Sequence, residues 1–270
     1  MAVRRAAVLG SPIAHSLSPL LHRAAYAALG LDWRYDGIEL QADGLPAFVA
    51  GLTPDWAGLS LTMPLKVAVL PLLTERSPLV EATGAANTVV LRNGQLLGDN
   101  TDVAGIVEAL REAGVTSAGS PVVLGGGATA CSALAALAQL GCVSPTLVVR
   151  SPPMAALAAA ARLGLSPVVV DADRADLGAA DLVISTLPAG AADRFASQLA
   201  DLPALLDVVY DPWPTPLAAA CRGRVIPGSA MLLHQAAAQV ELMTGHPAPL
   251  RAMRAALEGR SSPGAVAPKG

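Results

Sequence analysis

The chain has 270 residues, enough for one large domain or two ordinary ones with separate cores. Hydrophobic residues make up 53% and aromatic residues only 3%, so its interior is built from Ala, Leu and Val. A net charge of −3 and a pI near 5.8 argue against a general nucleic-acid or membrane-surface binder.

Cys131, Cys142 and Cys221 are odd in number, too few for a disulfide framework and nowhere in CxxC spacing. The four His are scattered, so no structural metal site is expected. The first fifteen residues have no signal-peptide body, and no window reads as a membrane span. Together these features predict a soluble, cytoplasmic protein.

In chain order, "RAAVLG" reads as a strand. "SPLLHRAAYAALG" reads as a helix with Ser18 as N-cap, Pro19 at its first position and Gly30 at its end. "WRYDGIEL" and "WAGLSLT" are further strands, and "NTVVLRNGQLLGD" is a hairpin turning at Asn93-Gly94. "TDVAGIVEALREAG" is an amphipathic helix with Val103, Ile106, Val107 and Leu110 on one face.

From 120 to 228 the apolar runs "PVVL", "TLVVR", "PVVVD", "DLVIST" and "LLDVVY" alternate with Ala-rich segments. Strands apolar on both faces and separated by helical lengths predict a parallel sheet flanked by helices. "ATACSALAALAQLG" is a helix terminated by Gly141, and "GSAMLLHQAAAQVELMTG" is another. The tail from Gly259 is expected to fray.

"VVLGGGATA" sets Gly125, Gly127 and Ala130 in a G-x-G-x-x-A pattern between a strand and a helix. The first glycine permits the turn, the second admits a pyrophosphate, and the helix N-terminus offers N–H donors. A plain strand-to-helix turn is the alternative. The next strand ends in Arg150 and Ser151, with no acid until Asp171. A guanidinium there suits a 2′-phosphate, which predicts NADP(H) over NAD; a solvated strand-end Arg is the alternative.

Four polar clusters lie in apolar surroundings: "SPIAHSLSP", "LTMPLK", "GAANT" and "GDNTD". Their hydroxyls, amides, single ammonium and carboxylate suit a small polyhydroxylated molecule. Each has a plainer reading. Ser18 caps a helix, Ser16 is loop, Asn87 is a turn residue, and Asp102 with Thr101 caps the helix that follows. Lys66 as an ordinary surface cation fits least well. Of 18 basic residues only Lys66 and Lys269 are Lys, although Arg serves everywhere else. Arg cannot give up its proton and Lys can. Apolar Met63, Leu65, Val67 and Val69 flank Lys66, which favours partial desolvation.

These clusters, in this order and followed by this glycine loop, resemble the shikimate dehydrogenase family over about residues 6 to 255. The resemblance implies an α/β chain with an N-terminal α/β substrate domain and a Rossmann-like, doubly wound parallel-sheet NADP domain. Residues 1–101 and 229–270 would form the first and 102–228 the second. It implies NADPH-dependent, reversible reduction of 3-dehydroshikimate to shikimate, a step toward chorismate and the aromatic amino acids.

Lys66 and Asp102 would be catalytic. Ser16, Ser18, Thr62, Asn87, Tyr210 and Gln235 would contact shikimate. Gly125, Gly126, Gly127, Ala128, Thr129, Arg150 and Ser151 would hold NADP, with Gly228 and Met231 near the nicotinamide. No metal is implied, and the enzyme would act as a monomer or homodimer.

The chain departs from the family pattern at Ser60, where Asn is usual, and at Leu65, where Phe is usual. Val149 stands where an Asn usually precedes Arg150, and Thr129 closes a Gly-Gly-Gly-Ala-Thr loop. The rival readings are a quinate/shikimate paralogue using NAD, a catalytically silent dinucleotide-binding regulator, and a folate-linked dehydrogenase, the last disfavoured by the paired serines.

Overall fold

Twelve strands divide between two sheets in the computed structural model, which describes residues 4–261. The first sheet contains β1 (Arg4–Gly10), β2 (Trp33–Glu39), β3 (Trp56–Leu61), β4 (Glu75–Arg76), β5 (Thr88–Arg92) and β6 (Gln95–Asp99), in the order β2-β1-β3-β5-β6-β4. It is mixed: β1 runs parallel to β2 and β3, while β5 is antiparallel to β3 and β6. The β5–β6 hairpin turns at Asn93 (φ 53°) and Gly94 (φ 77°) as expected, since a type I′ turn needs two left-handed residues.

The second sheet contains β7 (Pro121–Leu124), β8 (Thr146–Val149), β9 (Val168–Asp171), β10 (Leu182–Ser185), β11 (Ala204–Asp207) and β12 (Arg224–Pro227). Its order β12-β11-β10-β7-β8-β9, all parallel, is the doubly wound arrangement. All residues of β7, β10 and β11 are buried, because helices cover both faces. The order reverses between β7 and β10, which opens a crevice at their carboxyl ends.

The helices are α1 (Ser18–Ala28), α2 (Leu45–Ala50), α3 (Leu65–Ala68), α4 (Pro78–Thr83), α5 (Asp102–Glu112), α6 (Ala128–Gln139), α7 (Met154–Arg162), α8 (Pro216–Ala220), α9 (Gly228–Thr244) and α10 (Leu250–Ser261). One core joins α1, α9 and α10 to the first sheet, and a second fills its other face from α2 to α4. On the second sheet, α5, α6 and α7 cover one face and α8 the other. Val103, Ile106, Val107 and Leu110 of α5 are all buried, as the periodicity predicts. Each such side chain contributes roughly 1.5–3 kcal/mol.

Several elements differ from expectation. Ser18 is not an N-cap: Leu17 holds that position and Ser18 is the first helical residue, its hydroxyl lying against the Tyr35 phenol. No side-chain cap exists at α5 either, so the capping reading of Asp102 falls. β11 ends at Asp207, and Val208 to Tyr210 leave the sheet toward the crevice. The short β4 and β12 escape notice because two and four residues carry no period. Helix α10 runs to Ser261, past the expected fraying point at Gly259; the remaining tail, 262–270, lies outside the described residues.

Among the described residues, no helix is long and apolar enough to cross a membrane. No group of three or more His, Cys, Asp or Glu in the described residues could hold a metal ion.

Candidate active site

Lys66 sits on the single turn of α3, between buried Leu65 and Val69. Those two anchors fix the turn in the core of the first sheet, so the intervening side chain has little choice of direction. The backbone carbonyl of Lys66 accepts a hydrogen bond from the Ala86 N–H at 2.8 Å, tying α3 to the "GAANT" segment. The ammonium Nζ lies 2.5 Å from Asp102 Oδ2, and the two side chains are only 15% and 6% exposed.

Strand register makes this meeting possible. Ser60 on β3 faces Thr88 on β5, and Thr88 faces Asp99 on β6. The end of β3, the start of β5 and the end of β6 therefore converge, bringing Thr62, Asn87 and Asp102 to one place. Asn87 donates from Nδ2 to Asp102 Oδ1 and Thr101 Oγ1, both at 2.9 Å, and to Gln235 Oε1 at 3.3 Å. Its Oδ1 accepts from the Thr101 N–H at 2.7 Å and the Thr88 hydroxyl at 2.8 Å. Asp102 is thus held on one oxygen by an amide and on the other by the ammonium. A buried pair of charges survives only when its remaining lone pairs are satisfied in this way.

A cavity of about 250 Å³ opens over the pair. Ser16, Ser18, Thr62, Asn87, Tyr210 and Gln235 all line it, as do Gly228 and Met231 at the start of α9. Its size suits a small ligand. A second cavity of about 420 Å³ lies at the carboxyl ends of β7 and β8, bounded by Gly125, Gly126, Gly127, Arg150 and Ser151. A third space of about 340 Å³ joins them: it shares Thr62, Lys66 and Thr129 with the first and Gly127 with the second, and includes Ala128. Every residue proposed from the sequence therefore lines one of three adjacent cavities that share residues.

The glycine turn fits a dinucleotide. Gly125 has φ +116°, and a Cβ there would lie 2.5 Å from Thr186 Oγ1, across the point where strand order reverses. A Cβ on Gly126 would meet Pro153 at 2.7 Å, whereas Gly127 has open space, as a backbone that receives a pyrophosphate requires.

Sequence reasoning missed what lies beneath the cavity. Gln239, one helical turn after Gln235, is buried at its floor. Its Nε2 donates to the Asn87 carbonyl at 3.2 Å and Thr88 Oγ1 at 3.0 Å. Its Oε1 accepts from the Ser60 hydroxyl at 2.7 Å and from His22 Nε2 at 3.2 Å, while Ser60 accepts from Tyr35 at 2.6 Å. Burial holds His22 neutral, its pKa lowered to about 3, and pushes the Tyr26 and Tyr35 phenols up. Two glutamines four apart in an Ala-rich apolar helix were the available signal.

Two family models match the chain: "Shikimate dehydrogenase substrate binding domain" at residues 8–89 and "Shikimate 5'-dehydrogenase C-terminal domain" at 228–258. A shikimate dehydrogenase (NADP(+)) of Moorella thermoacetica is 39% identical, over 97% of this chain and 96% of its own. The crystal structure of Mycobacterium tuberculosis shikimate dehydrogenase superposes with a TM-score of 0.88 at 47% identity, covering 95% of this chain and 99% of that one. The Thermus thermophilus enzyme, solved with NADP(H) and shikimate, gives 0.84 at 33% identity, covering 95% and 99%. With identities of this size spanning both lobes, the chain belongs to the shikimate dehydrogenase family.

Proposed function

We propose that this protein catalyses the reversible reduction of 3-dehydroshikimate to shikimate with NADPH. The observation that carries the reading is the Lys66–Asp102 pair, whose lysine borders both the 250 Å³ cavity and the 340 Å³ space leading to the glycine turn. Bound NADPH would supply the hydride to the carbonyl carbon. As negative charge grows on the carbonyl oxygen, Lys66 Nζ gives it a proton and is then reprotonated from solvent. Asp102 holds the ammonium in place and accepts from a neighbouring substrate hydroxyl.

Ser16 and Ser18 present hydroxyls to the substrate carboxylate. Thr62, Asn87, Tyr210 and Gln235 bind the ring hydroxyls, and Gly228 and Met231 flank the nicotinamide. Gly125 to Thr129 hold the pyrophosphate, and Arg150 with Ser151 the 2′-phosphate. The same reading divides the chain at Asp102 and Gly228 into substrate and cofactor domains. It makes the protein a cytoplasmic enzyme of aromatic amino acid biosynthesis, monomeric or homodimeric.

The test is a matrix of kcat/KM for shikimate and quinate, each with NADP and NAD. The highest value is expected for shikimate with NADP. A maximum for quinate with NAD would assign the chain to the paralogue, and no turnover in any cell would leave a silent dinucleotide binder.

A further inference from the structure

The glycine turn and the end of β8 form only one wall of the 420 Å³ cavity. The rest of the lining includes Leu187, Ala191, Arg194 and Phe195 from the segment after β10. Arg194 lies in the 3₁₀ segment Asp193–Gln198 and belongs to none of the sequence motifs. Its Nη2 is 2.6 Å from Asp173 Oδ1, and its guanidinium carbon lies 5.4 Å from the centre of the buried Phe195 ring. The carboxylate and the aromatic ring limit the rotamers of the side chain before any ligand binds.

Of its five N–H donors one is bonded to Asp173, and the side chain remains 45% exposed. The cavity thus carries two guanidiniums on walls drawn from different loops. Among its described lining residues there is no carboxylate.

The geometry points to Arg194 as a second reader of the adenosine 2′-phosphate, a specificity-determining residue that acts with Arg150. The inference rests on NADP being the cofactor. A phosphate monoester dianion presents three acceptor oxygens, more than one guanidinium fork can use, and a second fork from another segment of the same cavity completes the set. Arg194 has N–H donors beyond the one given to Asp173, and a ribose with a free 2′-hydroxyl offers them no anion. Selection for the phosphate therefore comes from both arginines.

Adenosine 2′,5′-bisphosphate and 5′-AMP differ only in the 2′-phosphate, so calorimetric titration of the ligand-free protein with each isolates the contact. Wild type should bind the bisphosphate more tightly. R194Q should lose about 10-fold in affinity for the bisphosphate, the size of one charge-assisted hydrogen bond, while 5′-AMP binding stays the same. R150Q should shift in the same direction. If R194Q keeps the wild-type preference while R150Q loses it, Arg194 is not a reader and the cofactor reading stands. An equal loss for both ligands would mean contact with the adenine, which also overturns the assignment. A wild-type protein without any preference overturns the cofactor reading and this inference together.

Discussion

Lys66 Nζ and Asp102 Oδ2 stand 2.5 Å apart although 36 residues separate them in the chain. Neither sits where local structure would have required it: Lys66 is on a four-residue helix, and Asp102 opens α5 without capping it. The contact is therefore a product of the tertiary structure, and the chemistry proposed here depends on it.

Replacing Lys66 by Ala should lower kcat by about 10²–10⁴ and leave the KM for shikimate nearly unchanged. Steady-state kinetics in the direction of shikimate oxidation would measure both. Unchanged turnover would remove Lys66 from the chemistry. The same variant leaves the Asp102 carboxylate buried without its cation, which typically costs about 3–5 kcal/mol, so a lower melting temperature should accompany the loss of activity.

Asn87 is the hub that orients Asp102, and its Oδ1 also satisfies the buried Thr101 N–H. Asn87→Ala strands that donor and frees one carboxylate oxygen. The expected outcome is a destabilisation of about 1–3 kcal/mol together with a fall in kcat, read by chemical denaturation and by kinetics. If kcat holds while stability falls, Asn87 is only structural.

Gly105 lies where α5 crosses α9, and a Cβ there would come within 2.8 Å of both the Met231 carbonyl and Gln235 Cβ. Gly105→Ala must push the helices apart and carry Gln235 with them. A loss of about 1–3 kcal/mol and a higher KM for shikimate are expected. Unaltered melting would show that the crossing has room to spare.

His22 gives stability a defined pH dependence. Its native pKa, lowered to about 3 from 6.5 by burial, means that between those values the unfolded chain binds a proton that the native chain does not. Stability from this group is complete above pH 6.5 and falls as the pH drops toward 3, by about 1.4 kcal/mol per pH unit. Urea unfolding at about pH 6.5, 5.5 and 4.5 should give a shallower slope for His22→Phe than for wild type. Parallel slopes would mean that His22 is charged in the native protein.

The parts of the fold legible in the sequence were those with a strong local cause. β7, β10 and β11 announced themselves because the centre of a parallel sheet, buried on both faces, needs continuous apolar runs, whereas β9 kept such a run at the sheet edge with Val168 and Val169 exposed. Asn93-Gly94 announced a turn because few other pairs tolerate two left-handed residues. The N-cap assigned to Ser18 failed for the opposite reason: a serine before a proline fits a cap, but the helix starts one residue earlier, with Leu17 as its cap and Ser18 inside the first turn. Arg194 was invisible because nothing in its neighbourhood distinguishes a solvated arginine from one facing a cavity. Gln239 was visible only as a polar residue in an apolar helix, and its partners Ser60, His22 and Thr88 come from three other segments.

By itself, the sequence determined which residues were available for chemistry and where the longer strands and the hairpin turn would form, because those properties depend on side-chain type and on neighbours a few positions away. Only the tertiary structure decided that the ammonium of α3 would meet the carboxylate of α5, and that Arg150 and Arg194 would line one cavity. Those decisions rest on strand register and helix crossing, where a shift of one residue turns a side chain to the other face of its sheet.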